Sequence, residues 1–287
     1  MSATRHAFSV DVEDWYQGIE LPLKAWVGKE NRVDIGLSKI LDLLAERDIR
    51  ATFFTLGAVA KSNPKSIRSI MKYGHEIASH TMNHEKIYDL KPTEFLKQEQ
   101  ECKKILEDIS ESKVSGFRAP YFSITTQSLW ALDILAQLGY TYDSSISPMQ
   151  TWRYGIAGTK PGIYQLKSGL IEFTPSLGSF CSHSYGVGGA YLRIYPYKLT
   201  KAALKQSTTN GLPGMFYVHP WELDPKHPRL KIGLKPFITH YSRLSSTVPK
   251  LRKLLTDFQF TTVQQVIDFE LARESLKVLN VDVDAKA

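Results

Sequence analysis

With 287 residues, 43% of them hydrophobic, the chain can bury one large core and has the size of a single α/β barrel. Its 36 basic and 29 acidic side chains leave a net charge of +7, spread along the chain with no recurring basic block interleaved with aromatics, which speaks against a nucleic-acid partner. No apolar run approaches the roughly 18 residues of a membrane span, although the mild basicity suits peripheral contact with a membrane surface or an acidic polymer.

Met1 to Arg5 leads straight into a strand, with no apolar stretch after a basic start, so the expected location is cytoplasmic. Cys102 and Cys181 lack metal-type spacing and make no disulfide framework.

Ala7-Phe8-Ser9-Val10 reads as a buried first strand. It ends in Asp11-Val12-Glu13-Asp14-Trp15-Tyr16. Carboxylates clustered at a strand end are costly to bury unless a metal or an arginine meets them; the plain alternative is a solvated turn. Ile35, Leu37, Ile40, Leu41 and Leu44 have helical spacing. Arg50 to Leu56 is apolar and β-rich, a second strand. Asn63 reads as an N-cap, Pro64 as the first helical residue and Gly74 as the residue past the helix end.

Glu76 to Ser79 is a short strand, and Ser79-His80-Thr81-Met82-Asn83-His84 begins at its end. In a helix or helical turn, His80 and His84 would share a face. Two imidazoles so placed can bind one divalent ion, completed by a carboxylate from elsewhere; otherwise they merely decorate a helix. Phe95, Glu99, Cys102, Leu106 and Ile109 trace one stripe of a long helix, which makes Cys102 a buried thiol. Val114 to Phe117 is a strand that delivers Arg118-Ala119-Pro120-Tyr121. Leu129, Leu132, Leu135 and Leu138 form a helix stopped by Gly139, and Tyr140 to Tyr142 is a strand ending at Asp143-Ser144-Ser145.

Ile163 to Leu166 and Leu170 to Phe173 suggest a hairpin around Ser168-Gly169. Ser176 to Gly189 is rich in Gly and Ser and reads as a long flexible loop beside the substrate. A helix follows near Tyr197 to Gln206, and Met215 to Val218 is a buried strand delivering His219-Pro220-Trp221-Glu222. A late helix holds Leu251, Leu254 and Leu255, Phe258 to Thr262 is a last strand, and Val263 to Ala272 a last helix. Residues 1–277 thus read as one domain with a C-terminal helical extension, and 278–287 as a polar tail.

Repeated strand–helix alternation argues a parallel sheet with crossover helices. Each polar cluster follows a strand, and α/β barrels build their sites at that end.

These residues resemble the motifs of the polysaccharide deacetylase superfamily, the carbohydrate esterases with a NodB-type domain. Phe8-Ser9-Val10-Asp11 resembles the first motif, Ser79 to His84 the second, Arg118 to Tyr121 the third, and Tyr217-Val218-His219 the last. The matches run in order over about residues 7 to 221. The resemblance implies a distorted (β/α) barrel of about seven strands. His219 to Pro225, with Thr239-His240-Tyr241 through Phe258, is similar to the branch linked to bacterial exopolysaccharide loci. The commonest first motif has two adjacent aspartates, one a base and one a metal ligand, whereas Asp11-Val12-Glu13-Asp14 offers three acids. Strand anchoring gives Asp11 the base position. The ligand is then Asp14, placed first, or Glu13, which shares Asp11's face of the strand.

The implied activity is metal-dependent removal of N-acetyl groups from an amino-sugar glycan of surface or exopolysaccharide biosynthesis. The expected ion is Zn²⁺ on His80, His84 and Asp14 or Glu13. Asp11 would act as general base held by Arg118, and His219 as general acid. Tyr121 would offer its backbone N–H to the oxyanion, and Tyr121, Trp221 and Trp15 would wall the sugar site. The rivals are a cyclic amide or imide hydrolase on the same fold and a catalytically inactive glycan-binding barrel. A serine hydrolase is disfavoured, since no G-x-S-x-G turn is present.

Overall fold

A computed structural model describes residues 4–151, 153–180, 183–273 and 277–278. In chain order, β1 (His6–Val12) is followed by α1 (Val33–Ala45), β2 (Thr52–Thr55), α2 (Gly57–Ser62), α3 (Pro64–Lys72) and β3 (Glu76–Ser79). Then come α4 (Pro92–Ser110), β4 (Gly116–Phe117), α5 (Trp130–Gln137) and β5 (Tyr142–Asp143). Two hairpins follow, β6 (Ile163–Gln165) with β7 (Ile171–Phe173) and β8 (Leu177–Phe180) with β9 (His183–Gly186). The chain continues through α6 (Gly189–Ile194), α7 (Tyr197–Thr209), β10 (Met215–Val218), α8 (Leu234–Tyr241), α9 (Thr247–Asp257), β11 (Phe260–Thr261), α10 (Val263–Ala272) and β12 (Lys277–Val278).

The strands form a curled parallel half-barrel in the order β10-β1-β2-β3-β4-β5-β7. These seven described strands run the same way, so the loops after β1, β3, β4 and β10 emerge at one end, the end where the polar clusters lie. β6 adds antiparallel to β7, β12 pairs with β6, and β11 pairs with the start of β1.

The period-2 alternation of β1 explains what it carries. Phe8, Val10 and Val12 belong to the large apolar cluster with α1 and α4, through Leu37, Leu44, Phe95 and Leu106. Ala7 belongs to the inner cluster with Phe54, Ala78, Tyr142, Phe173 and Met215, which Val263, Val266 and Ile267 of α10 join. Ser9 and Asp11 lie on Ala7's side of β1 and place polar groups in the interior. α1 packs closely on the 3-10 turn Pro220–Leu223. Gly36 permits this, since a Cβ there would stand 1.7 Å from the Pro220 carbonyl oxygen.

Besides the short elements α2, α6 and β12, which the sequence pattern does not mark, the structure departs from sequence expectation in three segments. Residues 80–84 are not helical: Thr81 and His84 have φ of 68° and 57°, left-handed conformations within a loop. Much of the stretch expected as a flexible loop is the β8–β9 hairpin. Helix α8 was not anticipated, because its apolar residues Leu234, Phe237 and Ile238 face partly outward. Cys181 and the expected tail beyond Val278 lie outside the described residues. No described helix is long and apolar enough to cross a membrane.

Candidate metal centre and acid–base site

The third motif builds the floor. Arg118 is completely buried, and its Nη1 donates to Asp11 Oδ1 at 2.6 Å and to Ser9 Oγ at 2.9 Å. Its Nη2 donates to Ser144 Oγ at 3.0 Å, and its guanidinium lies 4.0 Å over the Phe54 ring. A buried cation persists only when paired and hydrogen-bonded, and here Asp11 supplies the charge. Ser145 Oγ accepts the Ala119 N–H at 2.7 Å and donates to Asp143 at 2.5 Å, tying the turn after β4 to β5.

Two imidazoles and one carboxylate converge above this floor. Ligand atoms of Glu13, His80 and His84 lie within 4.8 Å of one another, all three residues buried. The left-handed residues Thr81 and His84 curl the loop after β3, and the two imidazole centroids stand 5.2 Å apart. His80 Nδ1 lies 2.8 Å from the Arg118 carbonyl. That oxygen can only accept, so Nδ1 carries the proton and Nε2 keeps its lone pair. Burial lowers the His80 pKa to about 4, holding the ring neutral. Glu13 Oε2 lies 2.5 Å from His84 Nε2. Burial by itself would raise the Glu13 carboxyl, but the charge and hydrogen bond of His84 and the charge of His219 hold it well below the usual carboxylate range. Apart from that approach to His84, Glu13 Oε2 has no hydrogen-bond partner, and His84 Nδ1 is buried with none. Neutral imidazole, ionised carboxylate and unspent lone pairs are the donor set a divalent cation takes, so the residues fit a metal.

Asp14, the first choice of ligand from sequence, stands outside this cluster. Its Oδ1 accepts the Trp15 N–H at 2.7 Å, and its Oδ2 accepts those of Arg32 at 2.7 Å and Val33 at 3.1 Å. The carboxylate satisfies the start of α1 instead, a helix end whose N–H groups need acceptors.

His219 faces the cluster from the end of β10. Its Nε2 is 3.8 Å from Asp11 Oδ2 and 3.8 Å from Glu13 Oε1. Its Nδ1 lies 2.6 Å from Glu222 Oε1. Glu222 is in turn gripped by Arg193, whose Nε donates to Oε2 at 2.6 Å; both side chains are completely buried. Burial would lower the His219 pKa, but the hydrogen bond to Glu222 and the charges of Glu13, Glu222 and Asp11 raise it to about 9. Arg193 is anchored on the carbonyls of Thr239 and Ser242, at 2.5 and 2.6 Å, around the end of α8. The sequence reading assigned no role to Glu222 or Arg193. The available signal was a Glu at the third position of a Pro-initiated turn, the capping-box spacing.

Trp221 is not a sugar platform. One face of its indole stacks on His219, centroids 5.1 Å apart, and the other on His240 of α8 at 4.0 Å. Its Nε1 donates to Glu13 Oε1 at 2.8 Å, so it orients the carboxylate of the cluster. Gly18 leaves room for this bond, because a Cβ there would stand 2.8 Å from Glu13 Oε1 and 2.9 Å from Trp221 Nε1. Trp15 is also buried, with its Nε1 donating to the Glu30 carbonyl and its ring stacked on His227. Tyr121 does stand at the site: its half-buried ring meets His84 at 4.7 Å, and its backbone is left-handed at φ 55°. The structure thus brings together Asp11, Glu13, His80, His84, Arg118, Tyr121 and His219. It moves Asp14, Trp15 and Trp221 to supporting positions.

A curled parallel α/β half-barrel with a two-histidine, one-carboxylate cluster at its strand ends is the NodB-like distorted barrel. Residues 34–142 match the family model described as polysaccharide deacetylase, and residues 144–268 match a domain of unknown function, DUF3473. Residues 34–142 thus belong to the polysaccharide deacetylase superfamily. It is 36% identical over 98 residues to a chitooligosaccharide deacetylase of Sinorhizobium fredii, covering 34% of this chain and 43% of that one. It is 28% identical over 130 residues to a peptidoglycan-N-acetylglucosamine deacetylase of Bacillus cereus, covering 41% and 47%. The chain thus spans less than half the length of these curated relatives. A crystal structure of a putative polysaccharide deacetylase from Mycobacterium smegmatis superposes with a TM-score of 0.66 at 20% identity, over 97% of this chain and 93% of that one. At that identity the likeness concerns the fold.

Proposed function

We propose that the protein is a metal-dependent hydrolase that removes N-acetyl groups from an amino-sugar glycan, or its precursor, in bacterial surface or exopolysaccharide biosynthesis. The observation that carries this reading is the convergence of Glu13, His80 and His84 opposite the Arg118-held Asp11 and the Glu222-held His219. Curated relatives that act on chitooligosaccharide and peptidoglycan support the substrate class.

Amide hydrolysis needs an activated water, a polarised carbonyl and a protonated leaving amine. A divalent ion, Zn²⁺ as first choice, would supply Lewis acidity and lower the pKa of water at Glu13, His80 and His84. Asp11 takes a proton from the attacking water as its oxygen bonds to the acetyl carbon, and Arg118 holds that carboxylate in place. His219, with Nδ1 bound to Glu222, gives its Nε2 proton to the sugar nitrogen. The C–N bond then breaks to release acetate and a free amine. Tyr121 flanks the sugar, and its left-handed backbone offers an N–H toward the developing oxyanion.

The test is acetate release from N-acetylglucosamine oligosaccharides, before and after exhaustive chelation and on readdition of Zn²⁺. Expected is loss on chelation, recovery on readdition, and no recovery in His80→Ala. Turnover that survives in chelated His80→Ala protein overturns the reading.

A further inference from the structure

Two loops on the active-site face carry the most exposed apolar side chains. Val27 is 85% exposed and Leu234 75%, the two highest values among the described large hydrophobics. Val27 follows the 3-10 turn Leu23–Trp26 in the loop after β1, and Leu234 opens α8 in the chain after β10. β1 and β10 are parallel neighbours, so both loops leave the barrel at the same end. They are tied together by Arg32 with Asp224 at 2.7 Å and by the Trp15–His227 stack. Leu234 and Ile238 stand at i and i+4 of α8, the spacing that puts two side chains on one helix face, and Leu23 and Val27 stand at either end of the 3-10 turn. The inner side of each is fixed: Trp26 meets Tyr16 at 5.8 Å, and His240 stacks on Trp221. Val27 and Leu234 therefore add little to internal packing.

Charge separates the kinds of surface that could meet them. Residues 225–241 include Lys226, Arg229, Lys231 and Lys235, all exposed, and no Asp or Glu. Aliphatic side chains alternating with basic ones, free of acids, match an anionic lipid surface: the aliphatics enter the headgroup boundary and the cations pair with phosphates.

We propose that this rim, built from the Leu23–Val27 loop and the Lys226–Ile238 segment, docks the protein on a membrane surface bearing anionic phospholipid headgroups. The strand-end site then faces the bilayer. The inference rests on exposure, topology and charge, and stands apart from the reaction proposed above.

The test is vesicle flotation of the full chain with phosphatidylcholine alone and with added phosphatidylglycerol. Binding is expected on the anionic vesicles, weakened by high salt, and weak on the neutral ones. The double variant Val27→Asp/Leu234→Asp should lower the partition coefficient about tenfold or more, and Lys226→Glu/Lys231→Glu by a similar factor, with unfolding temperatures unchanged. Failure of the wild type to bind anionic vesicles overturns the proposal, as does binding indifferent to the Val27 and Leu234 changes. Self-association abolished by those changes, with vesicles ignored, overturns it in favour of a protein interface.

Discussion

Glu13 and His84 approach to 2.5 Å, Oε2 to Nε2, although one follows the first strand and the other closes the loop after the third. Glu13 Oε1 meanwhile accepts the Trp221 indole N–H. One carboxylate thereby joins the histidine loop to the β10 loop, and three segments of chain share one charged cluster.

Ligand choice is testable by paired variants. Glu13→Gln should lose stoichiometric metal after dialysis, whereas Asp14→Ala should keep it. Asp14→Ala should instead cost about 1–3 kcal/mol of unfolding free energy, because it removes the carboxylate that accepts the Arg32 and Val33 N–H groups at the start of α1. Metal analysis with denaturant unfolding separates the two. Metal loss in the Asp14 variant would show that the ligand assignment is wrong.

Trp221→Phe removes the N–H that orients Glu13 while preserving a stacking ring between His219 and His240. Metal affinity should fall about 10–100-fold, the range seen when a group supporting a ligand is lost. Competition with a metallochromic chelator reads the change; unaltered affinity would leave the indole a packing role only.

Asp11→Asn retains the hydrogen-bonding shape toward Arg118 but cannot take a proton from water. Acetate release should drop by at least about 100-fold with the metal content unchanged. Loss of metal in this variant would make Asp11 a ligand.

Glu222→Gln weakens the grip on His219 while leaving the cluster ligands in place. If His219 protonates the leaving amine, hydrolysis of N-acetyl sugars should fall about 10-fold or more. An activated aryl acetate, whose leaving group needs no proton, should be nearly unaffected. Equal losses on both substrates would mean that Glu222 acts only on stability.

Behind the site, buried Glu99 accepts hydrogen bonds from Ser79 Oγ and Tyr140 Oη, both at 2.5 Å, and burial raises its pKa to about 7. The folded protein then holds a proton that the unfolded chain gives up near pH 4.5. This contribution is fully present below that value and is lost as pH rises through about 7. The fall in stability between pH 5 and pH 8 should shrink by on the order of 2 kcal/mol in Glu99→Gln. Denaturant unfolding at both pH values measures it.

Local patterns made most elements legible. Pro64 opens α3 and left-handed Gly74 follows its end, although the Asn63 side chain donates to Asp34 rather than capping the helix, and the stripe through Phe95, Cys102 and Leu106 is the buried face of α4. Conformations that depend on a few left-handed residues were not legible. Nothing in Ser79 to His84 announces that Thr81 and His84 adopt positive φ, so the sequence suggested a helical face where a loop folds back. Helix α8 was hidden for a related reason: its inner residues His240 and Tyr241 are polar or amphipathic, and its aliphatics point outward.

By itself the sequence determined the alternating strands and helices, the end of the barrel that bears the polar clusters, and the residue types Asp11, His80, His84, Arg118 and His219. Periodicity and caps act within a few residues, so they can be read from a single segment. Only the tertiary structure placed Glu13 rather than Asp14 beside His80 and His84, set the Trp221 N–H on Glu13, and gave His219 its partner Glu222, itself held by Arg193. Those outcomes depend on which backbone N–H groups and which charges lie within about 3 Å of a carboxylate once distant segments pack together.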